Sequence, residues 1–299
     1  MAESITYRVV HETRYTYSDA VSGTRQLAHL KPRATPWQLV RTHLLVIDPM
    51  PSEHSEGSDY FGNGVMRFAV ETPHRALAVR AESVLEVHSH APEDSAGPAW
   101  ESAAAVPCKW QPDDEFDIVQ YRLASPMAPL LPEAAEYARG SFPAGRPLPA
   151  ALLDLTQRIR RDFVYDPKAT TVTTQVEEVL AQRRGVCQDF AHLMISCLRS
   201  LGLAARYVSG YIVNRVPPGT KRLAGADASH AWVEVHCPGL GWLAFDPTNG
   251  KVADIEFITL GWGREFSDVT PLRGVVLGAG SHTLEVAVSV EPVLRRNSI

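Results

Sequence analysis

The chain has 299 residues, with 29 Lys and Arg against 34 Asp and Glu, so its formal net charge is −5. This balance excludes a strongly basic nucleic-acid-binding protein. Hydrophobic residues make up 45% of the chain and charged residues 21%, which excludes the low-hydrophobicity, high-charge composition of disordered proteins. The length corresponds to about two domains, or to one large domain with an appendage.

Residues 1–90 have the pattern of an antiparallel β domain. Between Ile5 and Val87, apolar and polar residues alternate in short runs rich in β-branched and aromatic side chains, and these runs are separated by proline and glycine clusters. Residues 91–130 begin with a stretch rich in proline, acidic and small residues, which predicts a connecting segment between domains.

Four helices are predicted in the next region, residues 131–250, which we interpret as the core of the protein. Their apolar residues recur at steps of three and four, and proline, glycine or a Thr-x-x-Glu capping box marks their ends. The predicted helices cover residues 132–140, 152–163, 174–185 and 187–202. Strand-like runs follow at residues 205–213, 230–236 and 241–246, and a last one at 284–290 lies in a C-terminal β extension, residues 251–299. This order predicts an α+β fold, in which helices pack on an antiparallel sheet or partial barrel behind the β domain.

Four cysteines occur, and their positions differ in chemical meaning. Cys187 begins the fourth helix, where free amide N–H groups and the helix dipole stabilise a thiolate, so its position suits a nucleophile. Cys197 lies on the apolar face of the same helix and is predicted to belong to the core. Cys108, in the connecting segment, and Cys237, at a hairpin turn, receive no role. We expect a cytoplasmic protein with reduced thiols, because cysteines are few and the first residues lack a signal-peptide or membrane-spanning pattern.

A base and an acid for such a nucleophile are predicted on one β-hairpin. With a three-residue turn Cys237 pairs with Gly241, and counting back along the strands places Asp246 opposite Trp232. Asp246 then lies on the same face as His230 and one diagonal step away, about 7–8 Å between α-carbons. The carboxylate can therefore reach the imidazole, whereas a slip of one residue would put the two side chains on opposite faces.

Several sequence blocks around these residues resemble the core of the bacterial transglutaminase-like superfamily. These blocks are residues 185–192, 205–211, 227–234 and 241–250, and they occur in the family's order. The β domain, with its segment 59–63, resembles the N-terminal domain that accompanies this core, and residues 263–269 with the strand after them resemble the family's C-terminal portion. The resemblance covers nearly the whole chain. It implies a papain-like core fold, and members are often described as candidate cysteine proteases.

Carried over position by position, the resemblance implies that Cys187 is the nucleophile, His230 the general base and later acid, and Asp246 the residue that orients the imidazole. It implies attack of a thiolate on an amide carbonyl, which gives a thioester and an amine, followed by hydrolysis or by transfer to a second amine. The backbone N–H of Cys187 is the natural oxyanion donor, and the side chain of Gln188 or Tyr165 is a candidate for the second donor.

Metal binding is the main competing use of the histidines. Cys187 and His192 are five residues apart on one helix, about 140° around its axis, and form a poor chelating pair. His88 and His90 share a strand face, without a third ligand at a convincing spacing. We therefore expect no metal and no cofactor.

Other polar and aromatic residues near the predicted site have simple interpretations. Asp189 is interpreted as a helix-dipole partner in the first turn of its helix, and Glu234 and Arg206 as ordinary strand charges. Trp232 is either a wall of the active site or a strand tryptophan packed on a neighbour.

Three functions fit the sequence. The favoured prediction is a cysteine-dependent amide or peptide hydrolase with a peptide or amide substrate. An acyl transferase of the transglutaminase type shares the thioester but passes the acyl group to an amine. A catalytically idle module that binds a peptide is the third interpretation. We expect no nucleic-acid or membrane partner, and the oligomeric state stays open.

Overall fold

The computed structural model describes residues 3–91, 97–105, 118–213, 229–278 and 280–293. Within these residues the strands are β1 (Ser4–Val21), β2 (Gly23–Ala28), β3 (Gln38–Asp48), β4 (Glu53–Ser58), β5 (Gly64–Val70), β6 (His74–His88), β7 (Val164–Tyr165), β8 (Arg184–Gly185), β9 (Ala205–Ile212), β10 (Ser229–Cys237), β11 (Gly241–Asp246), β12 (Lys251–Val252), β13 (Phe257–Gly263), β14 (Leu272–Leu277) and β15 (His282–Pro292). The α-helices are α1 (Trp100–Ala104), α2 (Pro132–Arg139), α3 (Leu148–Asp162), α4 (Val176–Gln182) and α5 (Cys187–Ser200). Cys108 and much of the predicted connecting segment lie outside the described residues.

Two four-stranded antiparallel sheets form the β domain. Sheet A has the strand order β15-β1-β6-β3, and sheet B has the order β14-β2-β5-β4. Inward-facing residues of both sheets, such as Phe68 from sheet B and Leu77 from sheet A, belong to one buried cluster. The last strand predicted from the sequence is present as β15, and it pairs with β1 along eleven residue pairs. Strands from both ends of the chain therefore build this domain.

The core consists of helices packed on a five-stranded antiparallel sheet with the order β12-β11-β10-β9-β13. Helix α5 lies against this sheet, and its residues Leu193 and Met194 share a buried cluster with Val233 and Val235 of β10. A second cluster joins the core sheet to sheet A. This arrangement of helices and antiparallel strands confirms the predicted α+β fold.

Helices α2 and α5 begin where the sequence predicts. Helix α3 begins at Leu148, four residues before the predicted start, because Pro149 fits its first turn. Helix α1 lies in the predicted connecting segment, where the sequence predicts no helix. Helix α4 differs from the prediction at both ends. The predicted capping box at Thr174 is wrong, because the Thr174 hydroxyl accepts a hydrogen bond from the N–H of Thr171 (2.9 Å), and the helix begins at Val176. Helix α4 also ends before Gly185, at Arg183 in the left-handed conformation (φ 55°). Helix α5 begins at Cys187 as predicted.

Candidate active site

The start of α5 is fixed by a side chain of its own first turn. Val186, the residue before the helix, is extended, and its N–H donates to Oδ2 of Asp189 (2.8 Å). Asp189 is therefore the N-terminal helix partner that the sequence predicts. Gly185 makes this approach possible, because a Cβ there would lie 2.8 Å from the Asp189 side chain. Cys187 follows as the first helical residue, and its N–H has no partner inside the helix.

A preceding loop is tied to the same turn. The hydroxyl of Thr170 donates to Oδ2 of Asp189 (2.6 Å), and the side-chain amide of Gln188 donates to the carbonyl of Val172 (3.2 Å). Burial raises the pKa of Asp189, against the opposing effect of its two hydrogen bonds. Because Gln188 already has an acceptor, its side chain is a weak candidate for an oxyanion donor.

A short parallel bridge between β7 and β8 brings Tyr165 close to Cys187. β7 pairs with β8 so that Tyr165 faces Gly185, two residues before Cys187. Burial, together with the nearby Cys187 and Asp189, raises the pKa of the Tyr165 hydroxyl. Tyr165 is half exposed (51%).

The hairpin of β10 and β11 has the predicted register. Cys237 pairs with Gly241, and pairing continues to Val233 opposite Phe245. The imidazole Nε2–H of His230 donates to Oδ2 of Asp246 (2.9 Å). The two side chains therefore meet as the counting argument predicts.

His230 also forms a side-chain hydrogen bond with Cys187. Because Nε2 points to Asp246, Nδ1 is the nitrogen that faces the thiol. The carboxylate of Asp246 is held in turn by the N–H groups of Thr248 (2.9 Å) and Asn249 (3.2 Å) and by the Asn249 side-chain amide (2.6 Å). The three predicted residues, Cys187, His230 and Asp246, thus form one hydrogen-bonded row.

The electrostatics of this row favour a charged imidazole. Burial lowers the pKa of His230, but hydrogen bonds and charge interactions with Asp246 and Cys187 outweigh burial and raise that pKa from 6.5 to about 10. Burial raises the pKa of Asp246, and its hydrogen bonds, first of all to His230, lower it overall. An imidazolium between a carboxylate and a sulfur atom is the arrangement that stabilises a thiolate.

The ring of His230 is supported from one side by Trp232. The two rings stack with their centroids 6.3 Å apart, and Phe257 packs edge-on against the tryptophan. Trp232 is buried (1% exposed), which supports the second of its two interpretations, a packed strand residue. The space for its ring comes from Gly210, where a Cβ would lie 2.5 Å from the indole.

Cys197, Cys237 and His192 of the core are buried, which indicates a structural role. Cys197 is fully buried, as predicted, and burial raises its pKa to about 12. Cys237 is buried as well. Burial lowers the pKa of His192 to about 3, and its Nε2 accepts a hydrogen bond from the N–H of Phe266 (3.2 Å). The described part of the chain contains no group of three or more His, Cys, Asp or Glu residues that could hold a metal ion.

The interpretation of Arg206 and Glu234 as ordinary strand charges is wrong. Their side chains form a buried ion pair, with Arg206 Nε 2.7 Å from Oε2 of Glu234. The guanidinium lies over the rings of Trp242 (4.0 Å) and Trp262 (3.6 Å), and Arg33 of the β domain covers Trp262 as well (3.6 Å). Trp242 on β11 and Trp262 on β13 are the sequence signal that could have indicated this arrangement.

Comparison with known proteins identifies the family. The model of the bacterial transglutaminase-like N-terminal region matches residues 7–86, and that of the transglutaminase-like superfamily matches residues 138–247. An uncharacterized protein of Mycobacterium tuberculosis is 41% identical over 297 residues, which cover 96% of this chain and 92% of that protein. The chain belongs to the transglutaminase-like superfamily. The superfamily match includes all three residues of the hydrogen-bonded row.

Two further proteins are similar to this chain, one in its solved structure and one in its sequence. A solved structure from Cytophaga hutchinsonii, described as a candidate cysteine protease, has the same fold (TM-score 0.76, 19% identity, 99% of this chain and 93% of that chain covered). A protein-glutamine gamma-glutamyltransferase of Pseudomonas aeruginosa is 33% identical over 115 residues, which cover 38% of this chain and 17% of that enzyme. No described helix is long and apolar enough to cross a membrane.

Proposed function

We propose that the protein is a cysteine-dependent hydrolase of amides or peptides, with Cys187 as nucleophile, His230 as general acid and base, and Asp246 as the residue that orients the imidazole. The observation that carries this proposal is the hydrogen-bonded row of the three side chains, in which the pKa of His230 is raised to about 10. Membership of the transglutaminase-like superfamily supports the enzymatic nature of the site.

In the first half of the reaction the Cys187 thiolate attacks the amide carbonyl carbon. The carbonyl oxygen takes up the negative charge and accepts a hydrogen bond from the backbone N–H of Cys187, which is free for this purpose at the helix start. His230 then gives its Nδ1 proton to the amide nitrogen, the C–N bond breaks and an amine leaves. A thioester on Cys187 and a neutral imidazole remain.

Water completes the cycle. His230 accepts a proton from a water molecule, whose oxygen attacks the thioester carbon. The C–S bond breaks, and the products are a carboxylic acid, the thiolate of Cys187 and a protonated His230. Asp246 keeps its hydrogen bond to Nε2 throughout and stabilises the imidazolium each time it forms.

The Tyr165 hydroxyl is our candidate for the second oxyanion donor. It lies beside Cys187, and no other acceptor holds it within the described residues, whereas Gln188 is bonded to Val172. Tyr165→Phe removes this donor and keeps the ring. We expect kcat to fall by about 10²–10³-fold with little change in KM, because the donor acts on charge that develops in the transition state. Equal kcat in both proteins would rule out this role for the hydroxyl.

Exposure favours water as the acceptor of the acyl group. Cys187 is partly exposed, and Tyr165 (51%) and Val172 (63%) next to it are largely open to solvent. The similarity to a gamma-glutamyltransferase over 115 residues favours the second candidate, transfer of the acyl group to an amine. A primary alkyl amine added to the reaction separates the two, because mass spectrometry distinguishes the amide product from the acid.

The test of the proposed function uses two measurements. Iodoacetamide alkylation needs no substrate, and we expect rapid labelling of Cys187, with Cys197 of the same helix as a protected internal control. Turnover of a panel of fluorogenic peptides and amides is expected to disappear in Cys187→Ala. Full turnover by Cys187→Ala would refute the hydrolase, and slow alkylation without turnover would favour the idle peptide-binding module.

We also propose that the protein works in the cytoplasm. Cys187, Cys197 and Cys237, the cysteines that the structure describes, are free thiols, which suits a reducing compartment. Subcellular fractionation followed by detection with an antibody tests this location.

A further inference from the structure

Two arginines flank a leucine on the outer face of sheet B. Leu27 in β2 pairs with Arg67 in β5 on one side and with Arg273 in β14 on the other. Residues that pair across strands point to the same face, so both guanidinium groups stand on the face that Leu27 occupies. Two strand spacings separate the arginine α-carbons, which corresponds to about 10 Å.

Two cavities meet at this row. The larger, with a volume of about 910 Å³, lies over sheet B and is lined by Arg25 as well as by Arg67 and Arg273. The smaller, about 570 Å³, lies between sheet B and the core and shares Leu27 and both flanking arginines. Tyr60 and Leu123 line it with exposed side chains (71% and 58%). The arginine pair therefore stands at the centre of a continuous depression with an apolar floor and rim.

The two flanking arginines have no carboxylate partner among the described residues. Arg273 donates to the carbonyl of Ser267 (2.8 Å). The pKa of His29 in the smaller cavity is lowered mainly by burial, and the nearby charge of Arg273 lowers it further. Arg67 lines the same cavity, its guanidinium lies close to Gly57, and its side chain has no ion pair or hydrogen bond with any residue that the structure describes.

Nearby carboxylates do not neutralise the pair. Asp59 accepts hydrogen bonds from the N–H groups of Phe61 and Asn63 and from the Asn63 amide, and Asp268 is held by Arg264. The larger cavity is lined by one glutamate, Glu53, and by three arginines, of which Arg25 pairs with Glu71 (3.4 Å) and Arg67 and Arg273 have no carboxylate partner among the described residues. This face is therefore locally positive on a chain whose net charge is −5.

We propose that this depression binds an extended acidic peptide segment, in which Arg67 and Arg273 each pair with one of two carboxylates two residues apart. Alternate side chains of an extended chain point the same way and lie about 7 Å apart, a spacing that two long arginine arms reach from α-carbons about 10 Å apart. The residue between the carboxylates points away from the sheet. An apolar residue two positions after the second carboxylate points the same way as the carboxylates and contacts Tyr60 or Leu123 at the rim.

Fluorescence anisotropy with a labelled peptide tests this site independently of the reaction at Cys187. The probe is tetramethylrhodamine-Gly-Glu-Ala-Glu-Ala-Leu-Gly, and its control has Gln at both Glu positions. We expect saturable binding of the Glu peptide that weakens with salt, and at least fivefold weaker binding in each of Arg67→Gln and Arg273→Gln. Arg14→Gln, an exposed arginine on sheet A, is the matched control and leaves the affinity unchanged.

Three results would overturn the proposal. The first is absence of saturable binding to the wild-type protein, and the second is equal affinity for the Glu and Gln peptides. The third is tighter binding of a single-stranded oligonucleotide than of the peptide, which would assign the arginines to a different class of partner. Thermal unfolding of each variant verifies that its fold is intact, and alkylation of Cys187 verifies that the candidate active site is unaffected.

Discussion

Replacing Asp246 with asparagine removes the charge that holds the proton on His230 while leaving the size of the side chain unchanged. An asparagine oxygen in the Oδ1 position still accepts from the N–H groups of Thr248 and Asn249, so the end of the hairpin keeps its conformation. The amide NH2 group then occupies the Oδ2 position, where it faces the Nε2–H of His230 and the side-chain amide of Asn249. Because donors face donors, the imidazole loses its Nε2 proton or turns away.

The size of the effect follows from the protonation of His230. With a pKa of about 10, the imidazole is protonated in about 99% of molecules at pH 8, since each pH unit is a factor of ten. Without the carboxylate, burial opposes the charge and only Cys187 supports it. A pKa at or below the ordinary value of 6.5 leaves about 3% protonated at pH 8. This alone lowers the rate about 30-fold, and a wrong tautomer extends the loss towards about 10⁴-fold.

Two pH profiles measure this effect, that of kcat/KM and that of the alkylation rate of Cys187. In the wild-type protein we expect kcat/KM to fall above about pH 10, where His230 loses its proton. In Asp246→Asn this alkaline limb shifts to lower pH, because loss of the carboxylate lowers the pKa of His230. A variant that keeps the alkaline limb near pH 10 and loses less than threefold in rate would refute the reasoning.

Two other changes test the packing behind the imidazole and the buried ion pair. Gly210→Ala puts a methyl group 2.5 Å from the indole of Trp232 and still closer to the carbonyl oxygen of Ile258 on β13. We expect about 1–3 kcal/mol of lost stability in urea unfolding together with lower turnover. Unchanged stability of Gly210→Ala would contradict this prediction, because it would show that β9 and its neighbours accommodate the methyl group without loss of packing. Glu234→Gln leaves the guanidinium of Arg206 buried without a counter-charge and is expected to cost about 3–5 kcal/mol. Its control, Glu82→Gln at an exposed pair, is expected to cost less than about 1 kcal/mol, and equal losses would contradict the role of burial.

The parts of the site that sequence reasoning predicted depend on local patterns. The register of β10 and β11 follows from the length of one turn, and this register alone brings Asp246 to His230. The position of Cys187 follows from the apolar spacing that marks the beginning of α5. The approach of Cys187 to the hairpin depends on tertiary packing, and only the resemblance to a known family indicated it.

The buried ion pair shows why other parts could not be predicted. Arg206 and Glu234 face each other on adjacent strands, a pattern that is typical of a solvent-exposed sheet face. Their burial depends on Trp262 from β13 and on Arg33 from the β domain, which lies more than 150 residues away in the chain. No periodicity within β9 or β10 contains information about these distant partners.

The loop before α5, at the centre of the candidate site, also could not be predicted from local sequence patterns. Thr174 has capping-box spacing to Glu177, but its hydroxyl closes a turn with Thr171, and α4 begins later as a result. Tyr165 comes beside the candidate nucleophile only because two residues of β7 pair in parallel with two residues of β8, and strands this short have no sequence signature. The contact of His230 with Asp246 is thus encoded in local spacing, whereas the approach of Cys187 to the hairpin and the position of the candidate oxyanion donor depend on tertiary contacts.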